Sequence, residues 1–301
     1  MKLKTKDFLT LDELSSKELS QIIDLAIKLK KQKNNKAKPL QNKTLAMIFQ
    51  KPSTRTRVSF EVGMFQLGGN ALNLSPNDMQ ISRGESVQDT AKTLSAYVDA
   101  IMARVFEDDL LEDLAKNATV PVINGLSNSF HPCQILADLM TIKEKKKKLS
   151  GLKIAWIGDG NNVCNSLLYG CALSGINISV ATPKEFQPDS AVVKKSKSKT
   201  QVELTTNPDD AVKNADVVMT DTFTSIHNLD KKRVKKFLPK YQVNSSLMKK
   251  AKKDAIFMHC LPAKRGIEVT ESVIDGPQSV VWQEAENRLH SQKALLISLI
   301  K

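Results

Sequence analysis

Aromatic side chains make up only 5% of the 301 residues, too few to build base-stacking platforms along a nucleic-acid groove. The four cysteines, Cys133, Cys164, Cys171 and Cys260, form no C-x-x-C pair. A chain of this length needs no disulfide staples, so they read as reduced thiols. No uninterrupted apolar run approaches the roughly 20 residues of a bilayer span, and the Met-Lys-Leu-Lys start lacks the apolar stretch of a secretory signal. Together these absences argue for a cytoplasmic protein with no membrane partner. H-x-x-x-H and H-E-x-x-H spacings are missing too, and His131-Pro132-Cys133 does not complete a zinc-deaminase pattern. No metal is expected.

Positive charge, by contrast, is plentiful: the formal net charge is +13 and the pI is near 9.5. The basic runs at 30–38 (KKQKNNKAK), 143–148 (KEKKKK) and 231–236 (KKRVKK) are lysine-dominated, scattered, and not interleaved with aromatics. They read as solvated faces, not as a nucleic-acid stripe. A positive field that draws in a small anion fits the same charge.

Along the chain, helical and extended patterns alternate. Ser15 and Glu18 form a capping-box pair ahead of Leu19, Ile22, Ile23, Ala26 and Leu29 at helical spacing. A short apolar run follows at 44–49 (TLAMIF), then a helical pattern through Val58, Val62 and Phe65. Further runs at 100–105, 153–158, 178–182, 216–220 and 255–261 have strand length and are separated by helical segments. This is the pattern of βαβ units and parallel sheets. Length allows two such domains. The alternation restarts at Gly158-Asp159-Gly160 after the KEKKKKLSG connector, so the reading is an α/β chain with a first domain at 1–130, a connecting helix at 131–150 and a second domain at 151–283. Residues 284–301 read as one amphipathic helix that packs back on the first domain.

Three clusters carry chemistry. Ser53-Thr54-Arg55-Thr56-Arg57, between a strand and a helix, can cradle a phosphate through helix-start N–H groups, hydroxyls and a bidentate guanidinium. It can equally be an N-cap cluster followed by surface arginines. His131-Pro132-Cys133-Gln134 opens a helical pattern and could be a structural loop or a ligand-facing one. His259-Cys260-Leu261-Pro262 ends an apolar strand, the place where open α/β sheets bind ligands, though a strand-end cysteine fits a core position equally well. The Gly158-Asp159-Gly160 turn invites a dinucleotide reading, but no glycine stands at Val163 or Cys164 to complete G-x-G-x-x-G.

Taken in order, Ser53–Arg57, His131–Gln134, Gly158-Asp159-Gly160-Asn161-Asn162, His259–Pro262 and Glu286-Asn287-Arg288 resemble the aspartate/ornithine carbamoyltransferase family nearly end to end. The His-Cys-Leu-Pro stretch, where the aspartate enzymes typically carry a proline-rich loop, places the resemblance with the ornithine enzymes. What it implies is two doubly wound parallel-sheet domains with the active site in the cleft between them, working without metal or organic cofactor. The implied reaction transfers the carbamoyl group of carbamoyl phosphate to the δ-amine of L-ornithine, giving L-citrulline and phosphate in arginine biosynthesis. Transfer to another amine, such as putrescine, is the alternative.

By the same resemblance, Ser53, Thr54, Arg55 and Thr56 hold the phosphate and Arg104 bridges phosphate and carbonyl. His131 and Gln134 orient the carbamoyl group. Arg288 and the Cys260-Leu261 backbone close the pocket from the other domain, and Gln80 reaches a neighbouring subunit's site in a homotrimer or a multiple of trimers. Asn162, Asp221, Ser225 and Ile226 receive ornithine, with Asp221 and Cys260 near its δ-amine. That amine must be neutral to attack, although an alkylamine has a pKa of about 10.4 in water. Arg55, Arg104 and His131 meet the oxyanion. One stretch departs from the family's Asp-x-x-x-Ser-Met-Gly: here Ile226 and His227 stand at the Met and Gly positions.

Overall fold

The computed structural model describes residues 2–32, 37–75, 77, 79–224 and 231–300. The chain divides into two compact units, one of Met1–Met140 with Glu286–Lys301 and one of Thr141–Ala285. Each is built on a wholly parallel sheet.

In the first unit the elements run α1 (Ser16–Lys31), β1 (Thr44–Phe49), α2 (Thr54–Gln66), β2 (Asn70–Leu74), α3 (Val87–Tyr97), β3 (Ala100–Arg104), α4 (Asp108–Asn117), β4 (Val122–Leu126) and α5 (Pro132–Lys146), the last continuing into the second unit. The capping box forms as read: Ser15 Oγ accepts the Glu18 N–H, and Glu18 returns a carboxylate oxygen to the Ser15 N–H at 2.9 Å. The strand order is β2-β1-β3-β4. The order of winding therefore reverses between β1 and β3, a switch point of the kind at whose carboxyl ends open α/β sheets bind ligands. All of β3 is buried, as expected of a central parallel strand covered on both faces.

The helical pattern of α2 is right in period, but its apolar residues do not mark the buried face. Thr56, Ser59, Phe60, Gly63 and Met64 are buried, while Val58 and Phe65 stand 51% and 76% exposed. Strand β2 has no apolar alternation and was not legible in the sequence; it forms because it pairs with β1 from Thr44–Asn70 to Ile48–Leu74.

The second unit holds β5 (Lys153–Ile157), α6 (Asn162–Ser174), β6 (Asn177–Ala181), α7 (Ser190–Lys197), β7 (Val202–Thr205), α8 (Pro208–Val212), β8 (Val217–Thr220), α9 (Lys231–Phe237), α10 (Ser245–Met248), β9 (Ile256–His259) and α11 (Glu271–Ile274). Helix α12 (Val281–Leu299) starts here and ends in the first unit. The order β7-β6-β5-β8-β9 puts a second reversal between β5 and β8. Its core gathers Ile157, Val218, Phe223, Phe237, Tyr241 and Phe257. Both glycines of the turn after β5 are required by packing. Gly158 takes φ +128°, where a Cβ would lie 2.7 Å from the Phe223 ring, and a Cβ on Gly160 would lie 2.2 Å from the Pro188 nitrogen. The turn is thus explained by close backbone approach, with no nucleotide needed.

Candidate active site

Register explains how the first unit gathers its cluster. Phe49 at the end of β1 pairs with Arg104 at the end of β3, so the loop leading into α2 emerges beside the Arg104 side chain, which is 7% exposed. Ser53 caps α2, its Oγ accepting the Thr56 N–H at 3.2 Å. The two guanidiniums of Ser53–Arg57 part company. Arg57 points to solvent and pairs with Glu61 at 3.7 Å, whereas Arg55 is close enough to His131 for its charge to act on that ring. The cluster is therefore an N-cap with one surface arginine, and Arg55 is the guanidinium whose charge reaches His131.

Arg288 lies in the first unit, with Ser53–Thr56, and not in the other domain as expected from the sequence. It is buried, donating to Gln134 Oε1 at 2.6 Å and to Thr56 Oγ1 at 3.0 Å, while Gln134 Nε2 donates to Asp138 at 2.8 Å. The reason is that α12 continues through Glu286 and Arg288 into this unit, past the end of the second. Lys51, not foreseen, adds a further cation: its Nζ donates to Asn128 Oδ1 at 2.8 Å and stands 4.4 Å from the Phe106 ring centre. Burial, then the charge of Arg104, lowers its pKa. Gln80 opens an exposed 3-10 turn, Gln80–Arg83.

His131 is buried at the start of α5. Burial, followed by the charges of Arg288, Arg104 and Arg55, holds its pKa well below the usual value. The ring is neutral at physiological pH and adds no further cation to the cluster. A histidine with a depressed folded-state pKa carries more protons unfolded than folded. Its contribution to stability is complete above about pH 6.5 and is lost as pH falls below that. Stability should decline by up to about 1.4 kcal/mol per pH unit on this account. Urea unfolding of wild type and His131→Gln between pH 5 and 7 checks this: the difference between the two should shrink as the pH falls.

In the second unit, register again does the gathering. Thr220 pairs with His259 across β8 and β9, which sets Asp221 beside Cys260. The Asp221 carboxylate is buried; Oδ1 accepts the Cys260 thiol at 3.1 Å and the Thr222 N–H at 2.7 Å, and Oδ2 accepts Asn161 Nδ2 at 2.7 Å. Asn161, missed in the sequence, is the N-cap of α6, its Oδ1 accepting the Val163 and Cys164 N–H groups. An asparagine directly after Gly-Asp-Gly and before a helix was the available signal. Asn162 follows as the first helical residue and is partly exposed. Ser225, Ile226 and His227 lie outside the described residues.

The loop after β9 is pinned by two carboxylates. The His259 N–H donates to Glu284 at 2.9 Å, and His259 Nδ1 accepts the Leu261 N–H at 2.9 Å, so the ring proton sits on Nε2, 3.4 Å from Glu268. Leu261 takes a left-handed φ of 56°, a conformation uncommon for a leucine and held here by that contact. Asp221, His259 and Cys260 bring one ligand-capable atom each within 4.8 Å of one another, but Nδ1 is engaged by Leu261 and the thiol by Asp221. Cys133 is pushed up to about 12 by burial, and burial raises Cys164 and Cys171 as well. Cys260 alone among the four thiols is partly exposed.

Residues 6–144 match the family model for the carbamoyl-P binding domain of aspartate/ornithine carbamoyltransferase, and residues 150–299 match that for its Asp/Orn binding domain. The ornithine carbamoyltransferase of Cenarchaeum symbiosum (strain A) is 67% identical over 299 residues, covering 99% of each chain. Among solved structures, ornithine carbamoyltransferase from Pyrococcus furiosus is similar with a TM-score of 0.94 at 51% identity, covering 98% of this chain and 96% of that one. That from Thermus thermophilus is similar with a TM-score of 0.92 at 43% identity, covering 99% of both.

Proposed function

Because the chain belongs to the aspartate/ornithine carbamoyltransferase family, we propose that it transfers the carbamoyl group of carbamoyl phosphate to the δ-amine of L-ornithine, giving L-citrulline and phosphate. The observation that carries this reading is the pairing of chemistries at the two strand-end clusters. One gathers Arg55, Arg104 and Arg288 with a neutral His131, which suits a phosphate dianion and a carbonyl. The other presents the Asp221 carboxylate with Cys260 and Asn161, which suits an amine.

In this proposal residues 1–130 bind carbamoyl phosphate, with helix 284–301 returning to them, 131–150 connect, and 151–283 receive ornithine. The phosphate sits at the start of α2 on Ser53, Thr54, Arg55 and Thr56. Arg104 spans phosphate and carbonyl, and His131, Gln134 and the Cys260-Leu261 backbone orient the carbamoyl group. Arg288 backs the clamp by gripping Thr56 and Gln134. Asn162, Asp221, Ser225 and Ile226 hold the amino-acid end. The neutral δ-nitrogen attacks the carbonyl carbon, and that bond's π pair moves to oxygen against Arg55, Arg104 and His131. The oxyanion then collapses, the C–O bond to phosphate breaks, phosphate leaves with the pair, and the nitrogen sheds its proton. No cofactor enters this sequence.

Citrulline formation measured with ornithine, putrescine and lysine tests the assignment. Putrescine lacks the α-carboxylate and should be disfavoured in kcat/KM by a large factor, on the order of 10⁴ in favourable cases. Putrescine outperforming ornithine would refute the amine while leaving carbamoyl transfer standing.

The proposal also makes the working form a homotrimer or a multiple of trimers, acting in the cytoplasm in arginine biosynthesis. Among the described residues, no helix is long and apolar enough to cross a membrane. Val58 and Phe65 on α2 and Leu72 on the edge strand β2 are large apolar side chains left exposed in the single chain, and burial against a second copy would stabilise them. Gln80, exposed nearby in sequence, serves the neighbour's site. Inactive Gln80→Ala and Arg55→Ala chains, mixed and reassembled, should then regain part of the wild-type rate, since some sites contain neither lesion. Verified mixed assemblies without recovery would remove the shared site.

A further inference from the structure

The KKRVKK run reads from sequence as a solvated face, yet one member is tied down. Arg233, on α9, donates from Nε to the Phe223 carbonyl at 3.0 Å and from a terminal nitrogen to the Asp159 carboxylate. Its guanidinium lies 4.3 Å from the Phe186 ring centre. Phe237, four residues on, stacks on Phe186 at 4.8 Å and on Phe223 at 4.5 Å, so the ring set that carries the guanidinium also packs the chain segment it grips. The Arg233 and Asp159 side chains are only 27% and 14% exposed.

The two gripped points belong to the two strand ends that build the amine cluster. Phe223 lies two residues after Asp221, and Asp159 two residues before Asn161, whose amide donates to Asp221. We propose that Arg233 is a positioning residue for the amine substrate: by bridging the Phe223 carbonyl and the Asp159 carboxylate it fixes Asp221 against Asn161 while touching no substrate itself. Only a planar fork stacked on an aromatic ring can make both contacts; a lysine can supply the charge and one bond. The inference rests on the proposed ornithine reaction and deepens it.

A pH dependence follows the same geometry. Burial raises the Asp159 carboxyl to about 6; Arg233 opposes that rise and Asp221 adds to it, and the Cys164 thiol also faces it. Protonation of Asp159 weakens its bond to Arg233, so the grip loosens as pH falls through about 6.

Steady-state kinetics on Arg233→Met, Arg233→Lys and Asp159→Asn test this. Arg233→Met should raise the ornithine KM about tenfold or more, leave the carbamoyl phosphate KM within about twofold and change kcat little; Arg233→Lys should fall between it and wild type. Protonation of ornithine's own amine gives every form a common slope of about tenfold per pH unit. Wild type should show an added upward bend in ornithine KM below about pH 6 that Asp159→Asn lacks. An unchanged ornithine KM in folded Arg233→Met, equal rises in both KM values, or the same bend in Asp159→Asn would overturn the proposal. If Arg233→Met does not fold, the Arg233→Lys split and the Asp159→Asn profile decide. Failure of the underlying reading is separate, because wild type would then make no citrulline from ornithine.

Discussion

Arg55→Ala should lower kcat/KM for carbamoyl phosphate by about 3 kcal/mol or more, roughly 150-fold, because in the proposed reaction it removes a charge-assisted bidentate donor to the dianion and the developing oxyanion. The neighbouring Arg57→Ala should stay within about 0.5 kcal/mol of wild type. Both arginines belong to one helix, but at roughly 100° per residue they point to nearly opposite sides. Arg57 spends its charge on an exposed pair with Glu61 at 3.7 Å, an arrangement worth little in water. Citrulline formation under limiting carbamoyl phosphate reads the contrast. Equal losses in the two variants would mean that only a diffuse positive field matters, and near-wild-type turnover in Arg55→Ala would remove the clamp. Arg55→Lys should not restore the rate, since a point charge cannot form the fork.

Asp221→Ala is the second large effect expected. The carboxylate is buried and accepts from Cys260, Thr222 and Asn161, so its loss leaves the Asn161 amide and the thiol short of an acceptor and, in the proposed reaction, strips the amine of its anionic partner. Truncating one member of a buried charged set costs about 2–5 kcal/mol, here in kcat/KM for ornithine. The carbamoyl phosphate KM should change far less, because the residues proposed to hold that substrate's phosphate belong to the other unit. Asp221→Asn separates charge from shape: it keeps the volume but not the negative charge. Wild-type kcat/KM for ornithine in Asp221→Asn would overturn the role given to this carboxylate.

Sequence alone determined what depends on neighbours in the chain. The capping box at Ser15 and Glu18, the central strands 44–49, 100–105 and 153–158, and the helix start at Ser53 are set by local propensity, apolar period and cap chemistry. Five short motifs in a fixed order were enough to mark the family. Edge strands such as β2, with burial only partial along its length, left no such local mark. Tertiary structure decided whatever depends on pairing between distant segments. Strand order placed the reversals at β1/β3 and β5/β8, and register set Phe49 beside Arg104 and Thr220 beside His259. The turn of one helix separated Arg55 from Arg57, the course of α12 brought Arg288 to Thr56 and Gln134, and α9 carried Arg233 out of a lysine run onto Asp159. The physical reason is that a guanidinium's sequence neighbours state its charge but not its partner, and the partner is chosen only when the sheet closes and segments more than 70 residues apart, Asp159 and Arg233 among them, come within hydrogen-bonding distance.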